Sequence, residues 1–171
     1  MNRDELTALF LENAVKAAAG SRSVANAGAL RDALAELVPG EAAVYCPGLS
    51  DLEQAVAGSF PQRVADYAAA AVTVEEVLGG IAETGSIICA SSAGRAVQAS
   101  LLPPHHVAIL QAGNIFATLD DFFAGCAATP PVNFSLITGP SRTADIELIL
   151  AIGVHGPERL DVIVVNPAAP P

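Results

Sequence analysis

Three short loops of this 171-residue chain combine small residues, hydroxyls and amides in a way that suits anion binding. SSAGR (91–95) supplies Ser91, Ser92, Gly94 and Arg95, and AGN (112–114) supplies Asn114. TGPSR (138–142) supplies Gly139, Ser141 and Arg142, with Thr143 next. Each loop follows an apolar run that reads as a strand. The first and third precede segments that read as helices, whose first turns leave N–H groups unpaired and carry the positive end of the dipole. Glycine lets an anion approach the backbone, the hydroxyls donate, and Arg95 and Arg142 offer bidentate recognition of a carboxylate or phosphate. Neither loop matches GxGxxG or a P-loop, so no nucleotide is specified. The competing reading of TGPSR is structural. Ser141 would cap a helix, Asp145 would complement its dipole, and Arg142 would pair with Asp145 three residues on.

Other residues are candidates on weaker patterns. Glu83, in IAETGS (81–86), lies among apolar residues and glycine, where burial would suit a general base or nucleophile. The alternative is a carboxylate that caps the turn before the next strand. His155, in GVHGP, follows Gly153, which ends the helix expected over Arg142–Ile152. A helix of roughly thirteen residues is about 20 Å long. It would hold Arg142 and His155 at opposite ends, so His155 reads as a turn or interface residue. His105 and His106 introduce a strand after two prolines. Adjacent strand residues point to opposite faces, which is poor geometry for a shared metal, and neither is given a catalytic role. Cys46, Cys89 and Cys126 are far apart, with no CxxC or Cys/His spacing, so spacing supports no zinc or iron–sulfur site. They read as buried, reduced thiols.

The elements that would position these residues follow from the apolar pattern. A helix is expected over 4–19 and a second over Val24–Leu37, closed by Pro39-Gly40. Strands are expected at Ala42–Cys46, Ser86–Ala90, Val107–Gln111, Val132–Thr138 and Leu160–Val165, with extended structure in Val64–Thr73. Helices are expected near Asp51–Ala57, Val74–Gly79, Arg95–Leu101, Leu119–Ala127 and Arg142–Ile152. Near-continuous apolar strands alternating with helices imply an α/β fold, a mostly parallel sheet covered by helices on both faces. Ligands of such sheets sit beyond the carboxyl ends of the strands, where the three loops are expected. The domain organisation expected is an N-terminal helical segment (1–40), a single α/β domain (41–167) and a Pro-rich tail (168–171). The N-terminal helix reads as an arm that lies across the domain or against a second copy in a homo-oligomer.

Composition narrows the partners. The chain is 52% hydrophobic with a mean hydropathy of +0.47, enough to build a core without metal or disulfide. Its net charge of −10, from 18 acids against 8 bases, leaves no basic stripe for nucleic acid or an anionic membrane. Residues 122–141 carry no charge, but Pro130, Pro131, Asn133 and Gly139 interrupt them, so they read as helix end, turn and strand rather than a membrane span. The charged N-terminus does not read as a signal peptide, and a cytoplasmic location is expected.

Several stretches together resemble the lactate-utilization protein C family, the small LUD-domain proteins. They are IAETGSI (81–87), SLLPPHHVAIL (100–110), SLITGPSRTADIELIL (135–150), GVHGP (153–157) and LDVIVV (160–165), in the family's order. The resemblance implies a fold similar to that of the sugar-phosphate isomerases and coenzyme A transferases. It also implies a role beside two iron–sulfur partner proteins in oxidising L-lactate to pyruvate. This chain would be the clusterless member, with no cofactor of its own, and would bind a small carboxylate or phosphate. Kinship with the transferases makes Glu83 a candidate nucleophile by analogy of fold. Three functions therefore stand side by side: an accessory, non-redox subunit of lactate oxidation; a stand-alone isomerase, transferase or cyclo-ligase acting on a phosphate or thioester through Glu83; and a pure interaction module.

Overall fold

In the computed structural model the structure describes residues 1–91, 94, 96–144, 150–152 and 156–166. Six strands form the central sheet: β1 (Gly20–Val24), β2 (Val44–Tyr45), β3 (Arg63–Val64), β4 (Val72–Glu76), β7 (His105–Gln111) and β12 (Arg159–Val165). Their order is β1-β12-β7-β4-β2-β3, and every pairing is parallel. A second sheet has the order β8-β5-β6-β9 and is built from β5 (Gly79–Ile81), β6 (Ser86–Ser91), β8 (Ile115–Phe116) and β9 (Asn133–Ile137). Here β6 runs antiparallel to both β5 and β9. A separate hairpin joins β10 (Arg142–Ala144) to β11 (Leu150–Ile152).

The layers follow from alternation along the central strands. Val107 and Ile109 of β7 and Ile163 and Val165 of β12 point to one face, against α2 (Ala27–Leu37) and α3 (Asp51–Ala57). Ala108, Leu110, Val162 and Val164 point to the other, against α1 (Arg3–Lys16) and the inner face of the second sheet. The outer face of the second sheet is covered by α4 (Leu119–Cys126), where Phe122 packs on Ile81 and Ile88. The α/β class expected from sequence is the class observed.

Several elements differ from their sequence expectation. The first helix ends at Lys16, with Ala18 at φ 65°, and a strand not foreseen, β1, follows. The stretch 1–40 is thus not helical throughout. β1 pairs with β12 inside the central sheet, and α1 contributes the fully buried Phe10 and Ala14 to the core. The helix expected over Val74–Gly79 is instead the end of β4, a two-residue link and the start of β5. Its two glutamates favour a helix locally, but Val72 and Val74 alternate with Thr73 and Glu75 across a sheet buried on both faces. The helix expected over Arg95–Leu101 reduces to a 3-10 turn at Val97–Ser100.

The helix expected over Arg142–Ile152 is replaced by the β10–β11 hairpin, in which Arg142 pairs with Ile152. Thr143 and Ile152 are β-branched, and strand pairing suits them better than a helix. The hairpin also removes the argument that a helix holds Arg142 about 20 Å from His155. His155 itself lies outside the described residues, as does the tail 168–171.

Candidate functional site

Because the central strands are parallel, the molecule has two unlike poles. At the carboxyl pole, β4 ends at Glu76 and β7 ends at Gln111, whose Nε2 donates to Glu76 Oε1 at 2.6 Å. Glu53, on α3, is fully buried, and its carboxylate accepts from the backbone N–H of Leu49 and of Glu76, both at 2.7 Å. It ties the loop before α3 to the end of β4. Arg63 steadies the same loop by donating to the Cys46 carbonyl at 2.7 Å. Beside this brace opens a cleft of about 460 Å³, lined on its polar side by Ser50, Asp51, Glu76, Gln111 and Asn114. It shares Leu78, Ala90 and Asn114 with an apolar lobe of about 670 Å³ that runs over Phe116, Phe122 and Pro130. Two carboxylates, Asp51 and Glu76, make the polar lobe unfavourable for an anion.

The amino pole is packed. Gly85 (φ 68°) and Gly139 (φ 75°) lie at turns against the last turn of α1. A Cβ on Gly85 would collide with the backbone of Asn13 and Ala14, and one on Gly139 with the carbonyl of Ala17. Asn13 adds a hydrogen bond from its Nδ2 to the Ala82 carbonyl at 2.8 Å. Between the two glycine turns, Ser86 hydrogen-bonds with Thr84 at 2.7 Å and with Thr138 at 2.6 Å. A cavity of about 400 Å³ opens beside them, lined by Thr138, Gly139, Pro140, Ser141, Gly156 and Pro157 among others. Ser141 N–H donates to the Pro157 carbonyl at 2.8 Å, which joins the GPSR and HGP stretches.

One further cluster closes this pole. His105 Nε2 and Arg159 Nε each lie 2.7 Å from Asp161 Oδ2. Burial works to raise the Asp161 pKa, but the His105 hydrogen bond and the Arg159 charge outweigh it and hold the carboxyl below its usual range. Gly20 faces this carboxylate across the β1–β12 pairing, where a Cβ would run into it.

The structure divides the sequence-predicted site residues between the poles. Ser91 and Asn114 line the carboxyl-pole cleft, and Gly94 lies in a turn (φ 87°) beyond the end of β6. Gly139 and Ser141 line the amino-pole cavity. Arg142 and Thr143 follow Ser141 in β10, with their side chains outside the described atoms, and Ser92 and Arg95 lie outside the described residues. The described residues of the two Ser/Gly/Arg loops therefore lie at different poles. β6 and β9 are antiparallel, Ile87 facing Ile137 and Ser91 facing Asn133. Ser91 and Ile137 are thus about 14 Å apart along the ladder, at roughly 3.4 Å per residue. Glu83 sits apart from both sets, exposed rather than buried, and its Oε1 accepts from the Leu119 N–H at 3.0 Å, at the start of α4.

Sequence reasoning missed Glu53, Glu75, His106 and Asp161 as positioned polar groups. A signal existed only for Glu53: SDLE (50–53) has the S-x-x-E pattern of a capping box. Ser50 does cap the Glu53 N–H at 3.2 Å, but the glutamate reaches Leu49 and Glu76 instead of returning to the cap.

The profile of the LUD domain matches residues 62–165. A lactate utilization protein C from Macrococcus caseolyticus is 34% identical over 115 residues, 64% of this chain and 49% of that protein. A protein of the same name from Deinococcus radiodurans is 39% identical over 89 residues, 50% of this chain and 42% of the relative. The chain therefore spans about half the length of these curated relatives, or less. The crystal structure of a DUF162 family protein from Deinococcus radiodurans superposes with a TM-score of 0.72, covering 96% of this chain and 99% of that one, at 24% identity. That likeness supports the fold. Among the described residues, no helix is long and apolar enough to cross a membrane.

Proposed function

This chain belongs to the LUD domain family, and from that premise we propose that it serves lactate utilization as an accessory, non-redox component. It acts in the cytoplasm beside iron–sulfur proteins that carry the electrons, and it binds a small carboxylate such as lactate or pyruvate. The observation that carries this reading is the match of residues 62–165 to the family, together with relatives named lactate utilization protein C.

Electrostatics favours the amino-pole cavity for the carboxylate. The carboxyl-pole cleft presents Asp51 and Glu76, whereas the amino-pole cavity is lined by the hydroxyl-bearing Thr138 and Ser141 and glycine backbone, with no acid among its described lining residues. Arg142 follows Ser141 directly and would supply the positive charge. Glu83 already caps the backbone at the start of α4, so the nucleophile reading gains no support from its geometry.

Deletion of the coding sequence in the native cell should block growth on lactate, and the tagged protein should co-purify with iron–sulfur proteins. Lactate or pyruvate should raise the melting temperature of the wild type but not of Arg142→Ala. Normal growth on lactate after a clean deletion would sink the functional reading. Equal stabilisation of Arg142→Ala would move the ligand elsewhere.

A further inference from the structure

Between the two sheets lies a polar cluster surrounded by apolar core. Glu75 leaves β4 and His106 leaves β7 on the face that meets the second sheet, and Cys89 reaches in from β6. All three are buried, His106 completely and Glu75 to within 1%. Their ligating atoms lie within 4.8 Å of one another. Glu75 and Cys89 have further contacts of their own. His106 differs from them: neither ring nitrogen has a hydrogen bond, although leaving a buried imidazole unsatisfied is costly.

The geometry at His106 is informative. Nε2 lies 3.2 Å from Glu75 Oε1, close enough for an ion pair, yet the alignment fails as a hydrogen bond. Two donors held by one tetrahedral cation are about 3.3 Å apart, each aimed at the metal and not at the other. Ser100 donates to the same Glu75 oxygen, in the manner of an outer-shell group that orients a coordinating carboxylate. Thr73 faces His106 across the β4–β7 pairing, and its buried Oγ1 also lacks a hydrogen bond.

We propose that Glu75, Cys89 and His106 bind one zinc-class divalent cation between the two sheets, with the Thr73 hydroxyl or a water as fourth donor. The donor set of thiolate, imidazole and carboxylate suits zinc and cobalt and is too soft for calcium or magnesium. Charge agrees as well. One thiolate and one carboxylate neutralise a divalent cation, so the occupied site carries no net charge into the core. The Cys89 thiol gives its proton to solvent when the metal enters, so affinity rises with pH. The site was invisible to spacing rules because its donors come from three strands that are adjacent only in the fold. It goes beyond the lactate reading and is independent of it.

The test uses the full chain, freed of metal by chelation and titrated with zinc or cobalt(II) alone. The wild type should take up about one equivalent, melt at a higher temperature with zinc, and show cobalt–thiolate charge-transfer bands. Cys89→Ser and His106→Gln should each weaken binding by about tenfold or more. Cys126→Ser and Cys46→Ala should keep the thiolate band, which assigns it to Cys89 even if Cys89→Ser fails to fold. The proposal is overturned if the wild type takes up no stoichiometric metal. It is equally overturned if the band survives in folded Cys89→Ser, or is lost in folded Cys46→Ala or Cys126→Ser.

Discussion

The two ends of the central sheet are built on opposite principles. At the amino pole, glycine turns press directly on the backbone of α1, hydroxyls pair with one another, and Asp161 is held by His105 and Arg159. At the carboxyl pole, one buried carboxylate, Glu53, braces the loops, and the cleft beyond it stays open, with Gln111 and Asn114 exposed. ETGS and TGPS, which both fall within the stretch that matches the LUD domain, belong to the packed end. These turns interlock the second sheet with the N-terminal helix, which lies outside the stretch that matches the family, 62–165. Parallel sheets usually keep their ligands at the carboxyl ends of the strands. Because β9 is antiparallel to β6, its carboxyl end, and the GPSR stretch after it, points to the other pole.

The largest expected effect tests this interlock. Gly85→Ala and Gly139→Ala each combine a positive φ with a collision against helix backbone, neither of which a side-chain rotamer relieves. Each should destabilise the protein by at least about 3 kcal/mol. Gly113→Ala, at the open pole, meets nothing within 4 Å and has no positive φ, so it should stay within about 0.5 kcal/mol of wild type. Urea unfolding of the three variants gives the comparison. Similar losses at all three positions would break the contrast between the poles.

How much of this was legible in the sequence depends on the scale of the feature. The near-continuous apolar runs VAIL and VIVV announce strands buried on both faces, and the α/β class follows from them. The apolar spacing in TADIELILAI fits one face of a helix as well as a strand, and only pairing of Arg142 with Ile152 decides between them. β1, GSRSV, has few apolar residues, and its strand state comes from partnership with β12. The site suffered most. Ser91 and Asn114 do meet at one cleft, but whether Gly139 and Ser141 join them depends on strand direction, which local sequence does not encode. The positions of Glu53, Glu75 and Asp161 depend on partners 23 to 56 residues away.

A smaller effect separates the poles by pH. Asp161 has a carboxyl pKa held below its unfolded value, so it contributes stability above the ordinary carboxylate range, and this fades as pH falls through the folded pKa. Asp161→Asn keeps the shape and removes the charge that His105 and Arg159 hold. It should cost about 2 kcal/mol near neutral pH. The gap to wild type should narrow below about pH 4, where the unfolded chain's carboxylate takes up its proton first, and close further as pH falls through the lower folded pKa. Unfolding curves at neutral pH and at pH 3 would show this. A gap of equal size at both would mean that packing against Gly20, not charge, is what Asp161 contributes.

The smallest effect is the sharpest form of the comparison, because it removes a side-chain polar group of similar nominal strength at each pole. Ser86→Ala deletes the buried hydroxyl between Thr84 and Thr138, at 2.7 and 2.6 Å. Gln111→Ala deletes the amide that donates to Glu76 at 2.6 Å on the exposed rim. Distance alone gives the two little to distinguish them. What differs is access to water. Glu76, freed of Gln111, is hydrated in the open cleft, so the loss should be within about 0.5 kcal/mol. Thr84 and Thr138 are exposed and can turn to water, but Ser86 is itself buried, and deleting its hydroxyl loosens the contact between β6 and the Gly139 turn. A cost of about 1 kcal/mol is expected for Ser86→Ala. Equal costs would mean that solvent reaches both poles alike, and the packed end would then owe its stability to the glycine contacts and the Asp161 cluster.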